Sequence, residues 1–360
     1  MPSLNLNKIE SYIKISRDVK RYGSGKKNKH IGIKMVDKYN RKINYLRISV
    51  TDRCNLKCIY CMPSGVVHRL RHEEILTYEE ILRLVRIATK LGIDKVRVTG
   101  GEPLIRRGIY EFLSELTAIE KIADVSITTN GILLKDNIEK LKASGIKRIN
   151  ISLDTLKKDR YKKITGFDGF HNVWEAIFEA HNMGFDPVKI NVVVMKGINE
   201  DEIADLARLS INNPFHIRFI EYMPMETDRV PFHIRYLPNT IIKSQLEKQG
   251  DLVSVTRDKM DGPVRRYKFK GSAGEIGFIS PISDCFCQTC NRIRLMAAGQ
   301  IKPCLLSEQH IDIKTALRNK ASDEVIAKIL SDAIKSKPIR HNLTADNPAT
   351  VHEYMSCVGG

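Results

Sequence analysis

Several residue types are scarce in this chain, and their scarcity excludes whole classes of protein. Glycine (22) and proline (13) are too few for a collagen-like or low-complexity chain of 360 residues. No apolar run is long enough to cross a bilayer, so we expect a soluble chain without a membrane-spanning segment. With 42% hydrophobic and 28% charged residues, the sequence predicts one large domain or two ordinary ones with a sizeable core.

Acidic residues are the minority among the charged side chains. Lys and Arg total 59 against 42 Asp and Glu, which gives a formal net charge of +17. Residues 1–43 hold twelve Lys or Arg against three acidic residues, so much of the excess lies in this leader. A balance this basic predicts an anionic partner among nucleic acids, membrane surfaces and phosphorylated small molecules. The leader has no secretory h-region, so we expect a cytoplasmic protein, or an organellar matrix protein in a eukaryote.

The eight cysteines are unevenly placed along the chain. Three lie within residues 54–61, four lie within residues 285–304, and Cys357 stands apart. Without a secretory signal, grouped cysteines are typical of metal or cluster ligands in a reducing compartment rather than of a disulfide framework. The two groups are therefore the first candidate sites.

From residue 44 onward, short β-branched runs alternate with longer amphipathic segments, which is typical of βα units around a parallel sheet. Thr77 and Gly92 are expected to begin and end the first helix. Six units are too few for the usual eight-stranded barrel, so this α/β sheet is either open and doubly wound or an incomplete barrel. The expected strands are 44–51, 95–99, 124–129, 147–153, 188–194 and 216–222, and the later helices lie near 107–119, 136–144, 172–183 and 200–210.

After Pro224 the βα rhythm ends. We expect a strand at 275–280 and helices near 312–319 and 322–336 in this part of the chain. Gly271, Gly274 and Gly277 lack the following helix of a phosphate loop and predict a pair of strands instead. The sequence thus predicts three parts, which are a basic extension (1–43), a βα part (44–223) and a C-terminal part (224–360).

The first cysteine group, Cys54, Cys58 and Cys61, comes directly after the first predicted strand. Three thiolates at this spacing can hold three corners of a 4Fe-4S cube and leave the fourth iron open. The alternative is a zinc site, which needs a fourth ligand that His68 or His72 would have to supply.

The second group, Cys287, Cys290 and Cys304, again offers three ligands. In isolation the C-x2-C pair favours zinc. Arg292 and Arg294 follow directly, however, and guanidinium groups are suited to bidentate capture of a phosphate or a purine edge. Cys285 and Cys357 have no predicted role.

Four basic residues lie inside apolar strand runs, where an unpaired charge is expensive. They are Arg47, Arg97, Lys189 and Arg218. We therefore do not expect them to be ordinary solvated surface charges.

The spacing C-x3-C-x2-C, with Tyr60 before the last cysteine, resembles the signature of the radical S-adenosylmethionine enzymes. Thr99-Gly-Gly-Glu-Pro103 follows the second strand, where that family has a Gly-Gly-Glu-Pro motif. Ordered matches from about residue 43 to the end resemble, within these enzymes, the GTP 3′,8-cyclases that begin molybdenum cofactor biosynthesis. Further matching segments are Tyr45-Leu-Arg-Ile-Ser, Thr128-Thr-Asn-Gly, Asn150-Ile-Ser-Leu-Asp, Arg218-Phe-Ile-Glu-Tyr-Met and Phe286-Cys-Gln-Thr-Cys-Asn-Arg-Ile-Arg.

The resemblance implies an incomplete (βα)6 barrel of the radical S-adenosylmethionine type with a C-terminal cluster-binding extension. It also implies a lyase with two 4Fe-4S clusters, held by Cys54, Cys58, Cys61 and by Cys287, Cys290, Cys304. A 5′-deoxyadenosyl radical would convert GTP to (8S)-3′,8-cyclo-7,8-dihydroguanosine 5′-triphosphate. The implied S-adenosylmethionine contacts are Tyr60, Gly101, Ser152 and Met223. The implied GTP contacts are Arg47, Arg97, Thr128, Lys189, Arg292 and Arg294, with Arg218 as a further triphosphate contact.

The same resemblance implies a C-terminal tail, Gly359-Gly360, that reaches the active site, and it assigns no acid or base. The expected partners are GTP, an electron donor and the next enzyme of the pathway, cyclic pyranopterin monophosphate synthase. A homodimer stays open.

Two other functions are compatible with parts of the sequence. A different radical S-adenosylmethionine enzyme with an auxiliary cluster, such as a peptide-modifying maturase, would keep both cysteine groups without needing Arg292, Arg294 or the tail. A zinc-dependent nucleic-acid-binding protein would use the basic leader, but the chain has only 7% aromatic residues, a single tryptophan (Trp174) and no RNA-binding motif. No nucleic-acid partner is therefore expected.

Overall fold

A computed structural model describes residues 36–62, 69–225, 231–256, 262–344, 351 and 353–359. Most of the predicted basic extension, His68 and Gly360 lie outside the described residues. No helix in these ranges combines the length and the apolar composition that crossing a membrane requires.

The first six strands are parallel and lie side by side in chain order. Each pair is joined through a helical connection, as the alternation of β-branched and amphipathic segments predicts. All six predicted strands are confirmed, with ends that differ by two residues at most. They are β1 (Tyr45–Ser49), β2 (Lys95–Thr99), β3 (Asp124–Thr129), β4 (Arg148–Ser152), β5 (Val188–Val194) and β6 (His216–Glu221).

The helices of this part follow from local signals. The hydroxyl of Thr77 accepts the Glu80 amide and the Glu80 carboxylate accepts the Thr77 amide, which forms a capping box at the start of α1 (Tyr78–Leu91). Gly92 ends α1 at φ +111°, a conformation that glycine adopts without strain. The others are α2 (Ile109–Thr117), α3 (Ile138–Ala143), α4 (Lys158–Thr165), α5 (Phe170–Asn182) and α6 (Ile203–Asn212). Helix α4 was not predicted, because its charged sequence has little apolar periodicity.

The C-terminal part supplies further strands to the same sheet. Strand β9 pairs in parallel with β6, and β10 pairs in parallel with β1, so this part extends the sheet at both sides. Strand β9 was predicted, with β8 as its partner in the glycine-bearing pair, and the others were not predicted because they have only two to four residues. The strands are β7 (Leu252–Ser254), β8 (Arg265–Phe269), β9 (Glu275–Ile279), β10 (Arg292–Leu295), β11 (Gln300–Lys302) and β12 (Ile311–Asp312).

The C-terminal helices complete the list of elements. The two predicted there are confirmed as α9 and α10, and the glycine-bearing pair of strands is confirmed as β8 and β9. The helices are α7 (Phe232–Arg235), α8 (Asn239–Glu247), α9 (Lys314–Arg318), α10 (Asp323–Lys335) and α11 (Met355–Val358).

The strand order decides between the two predicted α/β architectures. The order is β12-β11-β10-β1-β2-β3-β4-β5-β6-β9-β8-β7, and β1 to β6 follow one another without a reversal. A doubly wound sheet requires a reversal of strand order, so the sheet is singly wound. Strands β12 and β7 end the sheet without pairing within the described residues, and the incomplete barrel is confirmed.

The two faces of the sheet differ sharply in polarity. Leu46, Ile48 and Val96 belong to the apolar core that also contains the inner residues of α1. The strand register aligns the alternate positions, Arg47 with Arg97 on β2 and with Arg294 on β10. Side chains two residues apart share a face of a strand, so the polar residues of many strands point to the side opposite the helices.

We expect Thr77→Ala to lower the free energy of unfolding by about 1 kcal/mol, because the Glu80 amide loses its capping acceptor. Anaerobic denaturant unfolding measures this change. Thr77→Ser is the matched control and should retain most of the stability, since its hydroxyl can accept the same bond. An equal loss in both variants would contradict the capping role.

Candidate active site

Two adjoining cavities lie on the polar side of the sheet. The cysteine-loop cavity is lined by Cys54, Cys58 and Cys61 together with the ends of β2 to β6. The arginine cavity is lined by five arginines and by the second cysteine group. The arginines are Arg47, Arg97, Arg218, Arg292 and Arg294, and the cysteines are Cys287, Cys290 and Cys304. Four residues belong to the lining of both cavities, and together they form the shared wall. They are Asn191, Ile220, Met223 and Met355.

The first cysteine loop is held in place by backbone hydrogen bonds to the end of α4. The Lys57 amide donates to the Thr165 carbonyl at 2.8 Å, and the Ile59 amide donates to the Ile164 carbonyl at 2.9 Å. Burial raises the pKa of the Cys54 thiol to about 11. A bound metal cluster would supply the positive charge that keeps such a thiol ionised, so these ligands fit a metal better than they fit free thiols.

The glycine pair after β2 allows this turn to pack against the cysteine loop. A Cβ atom on Gly101 would lie 2.2 Å from the Arg53 carbonyl oxygen, and one on Gly100 would lie 2.7 Å from the Thr51 oxygen. The Gly101 amide donates to Thr51 at 2.7 Å. Glycine is therefore required at both positions, because the close approach is to backbone that cannot move aside.

The buried carboxylate of Glu102 joins the ends of β2 and β3. It accepts the Thr129 hydroxyl at 2.8 Å and the backbone amides of Leu104 and Asn130 at 3.0 and 2.6 Å. Burial raises its pKa to about 7 despite these bonds. Glu102 thus fixes the segment after β2 against the end of β3, beside the cysteine-loop cavity.

Tyr60 is oriented by a carboxylate that the sequence did not single out. Its hydroxyl donates to Asp154 at 2.8 Å, and the other Asp154 oxygen accepts the Val193 amide at 2.8 Å. Burial raises the pKa of Asp154 to about 6. The sequence signal was its place as the last residue of the family-matching segment Asn150-Ile-Ser-Leu-Asp, to which no role was assigned.

The predicted cofactor contacts share one cavity, but the predicted substrate contacts do not. Tyr60, Gly101, Ser152 and Met223 all line the cysteine-loop cavity. Thr128, predicted with the substrate, lines that cavity too, and its hydroxyl is buried without a hydrogen-bond partner among the described residues. Lys189 lines neither cavity and is buried. Burial first, and then Arg218, holds its pKa well below the usual value.

The arginine cavity concentrates positive charge in a buried place. The exposed fractions of Arg47 and Arg294 are only 8% and 5%. Burial, followed by repulsion from Arg292, lowers the pKa of Arg294 to about 9, and burial with repulsion from Arg294 lowers that of Arg47. The Nε atoms of Arg47 and Arg292 are buried and have no hydrogen-bond partner in the described ranges. Unsatisfied buried donors are costly, so this arrangement suits an anion with many acceptor oxygens.

Tyr45 lies at the centre of the same charges and was not foreseen as a site residue. Lys95, Arg97 and Arg292 lie 4.9, 5.7 and 5.0 Å from its ring centroid. Burial alone would raise the pKa of the phenol, but these cations outweigh it and lower the pKa to about 8. The ring therefore lies among three like charges and offers them favourable cation–π contacts.

The second cysteine loop is tied together by two basic side chains that sequence reasoning missed. Lys337 donates to the Arg292 carbonyl at 2.9 Å and to the Pro303 carbonyl at 2.6 Å, which joins the Cys290 and Cys304 segments. Arg41 donates to the Cys287 carbonyl at 2.7 Å. Burial raises the pKa of Cys290, but Lys337 and Arg292 outweigh it and the pKa is lowered.

The remaining candidates take no part in either cavity lining. Cys285 is exposed and lines a separate groove beside β8. His72 lies in a short 3-10 helix, and within the described residues no three His, Cys, Asp or Glu side chains converge on a point for a single metal ion. A 4Fe-4S cluster does not need such a point, because each cysteine binds a different iron.

The last described residues, up to Gly359, lie beside both cavities. The Gly359 carbonyl accepts the Thr99 hydroxyl at 3.2 Å, and the Val358 carbonyl accepts Arg294 Nη1 at 3.2 Å. Gly359 has φ +81°, and a Cβ there would lie 2.9 Å from Thr99. The first glycine of the predicted tail thus packs against the end of β2.

Comparison with known proteins accounts for nearly the whole described chain. Residues 48–210 match the Radical SAM superfamily, and residues 215–343 match the family described as Molybdenum Cofactor Synthesis C. The GTP 3′,8-cyclase of Heliobacterium modesticaldum is 45% identical over 327 residues, which cover 91% of this chain and 100% of that protein. The GTP 3′,8-cyclase of Pelotomaculum thermopropionicum is 46% identical over 310 residues, 86% of this chain and 95% of that protein.

A solved structure shares the fold at much lower identity. Streptococcus suis SuiB bound to S-adenosylmethionine aligns with a TM-score of 0.59 over 92% of this chain and 79% of that chain. Its sequence is 17% identical, so this likeness shows the fold alone.

We expect the Tyr45 phenol to ionise near pH 8 in the protein without a bound anion. Inorganic tripolyphosphate should raise that pKa, because it neutralises the cations around the ring. The folded state binds fewer protons than the unfolded state between the lowered pKa and the ordinary value of 10.0, so this group's contribution to stability rises with pH across that window.

The tyrosinate absorbance, taken as the difference between the natural protein and Tyr45→Phe, measures the titration. A difference signal that titrates at the ordinary tyrosine pKa, with or without tripolyphosphate, would contradict this account of the cavity.

Proposed function

The chain belongs to the GTP 3′,8-cyclase family of radical S-adenosylmethionine enzymes, and from this premise we propose which of its residues carry each part of the reaction. It is a lyase that converts GTP to (8S)-3′,8-cyclo-7,8-dihydroguanosine 5′-triphosphate, the first step of molybdenum cofactor biosynthesis. Its cofactors are S-adenosylmethionine and two 4Fe-4S clusters. When bound, the cofactors supply a 5′-deoxyadenosyl radical that abstracts the 3′ hydrogen of the ribose.

The cysteine-loop cavity would hold the first cluster and S-adenosylmethionine. Cys54, Cys58 and Cys61 would bind three irons and leave the fourth to the cofactor. The cofactor contacts are Tyr60, Gly101, Ser152 and Met223, all of which line this cavity. Asp154 would act through Tyr60, because it accepts the Tyr60 hydroxyl and thereby fixes the ring.

The arginine cavity would hold GTP. Cys287, Cys290 and Cys304 would hold the second cluster, which would leave one iron free to bind the guanine. The triphosphate would be bound by the buried guanidinium groups, because phosphate oxygens can satisfy the Nε donors of Arg47 and Arg292, which have no hydrogen-bond partner among the described residues. The contacts in this cavity would be Arg47, Arg97, Arg218, Arg292 and Arg294. The other two predicted contacts lie elsewhere, because Thr128 lines the cysteine-loop cavity and Lys189 lines neither.

The shared wall is the observation that carries this assignment. A carbon radical abstracts hydrogen with little selectivity, so the 3′ carbon of GTP must be presented to the cofactor and water must be kept out. Asn191, Ile220, Met223 and Met355 line both cavities, so a substrate and a cofactor bound there would meet at these residues. Three of the four are apolar and would exclude water from the place of contact.

The other partners of the reaction belong to the same proposal. We expect an electron donor to reach the first cluster, and cyclic pyranopterin monophosphate synthase to take the product. A cytoplasmic or organellar matrix location, a homodimer and the division of the chain near residues 43 and 223 stay predictions.

Anaerobically reconstituted protein should bind about eight irons in two clusters. With S-adenosylmethionine and a reductant, it should release 5′-deoxyadenosine and a cyclised nucleotide only when GTP is present. Chromatography of both products against a control without GTP measures this. Stoichiometric zinc, or cofactor cleavage that requires a peptide instead of GTP, would favour one of the alternative functions.

We expect Arg294→Ala to weaken GTP binding about tenfold to a hundredfold, because a charge-assisted bond to phosphate is lost from a buried position. The iron content should not change. Arg265→Ala is the matched control, since Arg265 is largely exposed and pairs with Asp284 outside the arginine cavity. Equilibrium binding of GTP measures the effect. If Arg294→Ala lost iron, while the protein that kept its clusters still bound GTP with full affinity, Arg294 would have a structural role instead.

A further inference from the structure

The C-terminal tail, here residues 353–359, begins at a cluster of paired charges. Lys302, in β11, has an exposed fraction of 0%, and its Nζ lies 2.6 Å from a carboxylate oxygen of Glu353. The other Glu353 oxygen contacts His310, and Lys302 also donates to the Ser307 carbonyl. A fully buried lysine charge is costly unless it is paired, so the Lys302 charge stabilises Glu353 at this position.

No part of the proposed reaction uses this cluster. Lys302, Glu353 and His310 line neither the cysteine-loop cavity nor the arginine cavity. Strand register nevertheless places Lys302 opposite Arg294, so the cluster is joined through β10 and β11 to the arginine cavity.

Among the described residues, the segment after Glu353 carries the contacts between the tail and the cavities. Met355 belongs to the shared wall, and the Val358 and Gly359 carbonyls accept Arg294 and Thr99. Helix α11 is a single turn, which is too short to be stable alone, so its position depends on its attachments.

The two ends of this segment are attached in different ways. Its far end is held by two hydrogen bonds of 3.2 Å. Its base is held by the ion pair of Glu353 with Lys302 and, just before it, by the hydrogen bond that the Val351 amide donates to the Pro224 carbonyl at 3.1 Å. Of these two attachments at the base, only the ion pair depends on a side chain that a substitution can remove.

We infer that Glu353 is a positioning residue for the cyclase reaction. By pairing with Lys302, it fixes the base of the tail, so that Met355 completes the shared wall and the Val358 carbonyl orients Arg294. This role rests on the proposed function, because its consequence is the way in which GTP is held. It differs from a role in folding, because its effect passes through the tail.

The first test compares Glu353→Gln with the matched control Glu275→Gln. The two side chains have exposed fractions of 16% and 15%, and Glu275 pairs with Arg266 at 2.7 Å on strands β8 and β9, away from the tail. We expect Glu353→Gln to weaken GTP binding at least about fivefold and to speed the release of C-terminal residues by carboxypeptidase. Iron content should match the natural protein. Glu275→Gln should change neither readout.

The second test separates a positioning role from a structural one. Gly359→Ala disturbs the tip of the same tail, because its Cβ would clash with Thr99. If Glu353 acts through the tail, the losses of GTP affinity in the double variant should be smaller than the product of the single losses. Two results would overturn the inference. One is a double variant whose loss of GTP affinity equals the product of the two single losses. The other is a Glu353→Gln protein that keeps the GTP affinity and the carboxypeptidase resistance of the natural protein.

The outcomes for the two proposals remain distinguishable. A natural protein that binds no GTP and forms no GTP-dependent product contradicts the proposed function. A natural protein that does both, beside an unaffected Glu353→Gln variant, contradicts only the role of Glu353.

Discussion

The burial of several like charges on one face of the sheet is the constraint on which this structure depends. Arg47 and Arg294 keep their charges close together with little access to water, at a cost that appears in their lowered pKa values. At the amino ends of the strands the carboxylate of Asp124 compensates Lys95 and Arg148. No described carboxylate lines the arginine cavity, so an anionic substrate would relieve the repulsion there.

The C-terminal part makes this arrangement possible because it completes the sheet rather than packing beside it. Strand β10 aligns Arg294 with Arg47. The loop before β10 brings Cys287 and Cys290 to the same cavity, and the loop after β11 brings Cys304. The end of the chain then returns to the shared wall through Met355. Both cavities therefore combine residues of the first βα unit with Met355, and they adjoin at the shared wall.

Much of the site was predictable because its signals are local. The spacing of Cys54, Cys58 and Cys61 and the glycine pair after β2 lie within short segments, where residue order decides what can be a ligand or a tight turn. Asp154 and Tyr45 were not predictable in the same way. Their roles arise from partners far away along the chain, Tyr60 for the first and Arg292 for the second.

The sequence by itself determined the six βα units, the two groups of cysteines and the basic residues inside apolar strand runs, because periodicity, capping and the cost of unpaired charge act over a few residues. Only the tertiary structure decided which side chains share a cavity. Thr128 lies with the cysteine loop and Lys189 lies outside both cavities, because strand register and the shape of the barrel place them. The docking of the tail through Lys302 and Glu353 was likewise decided by long-range contact, since an ion pair between residues fifty positions apart leaves no pattern in the sequence.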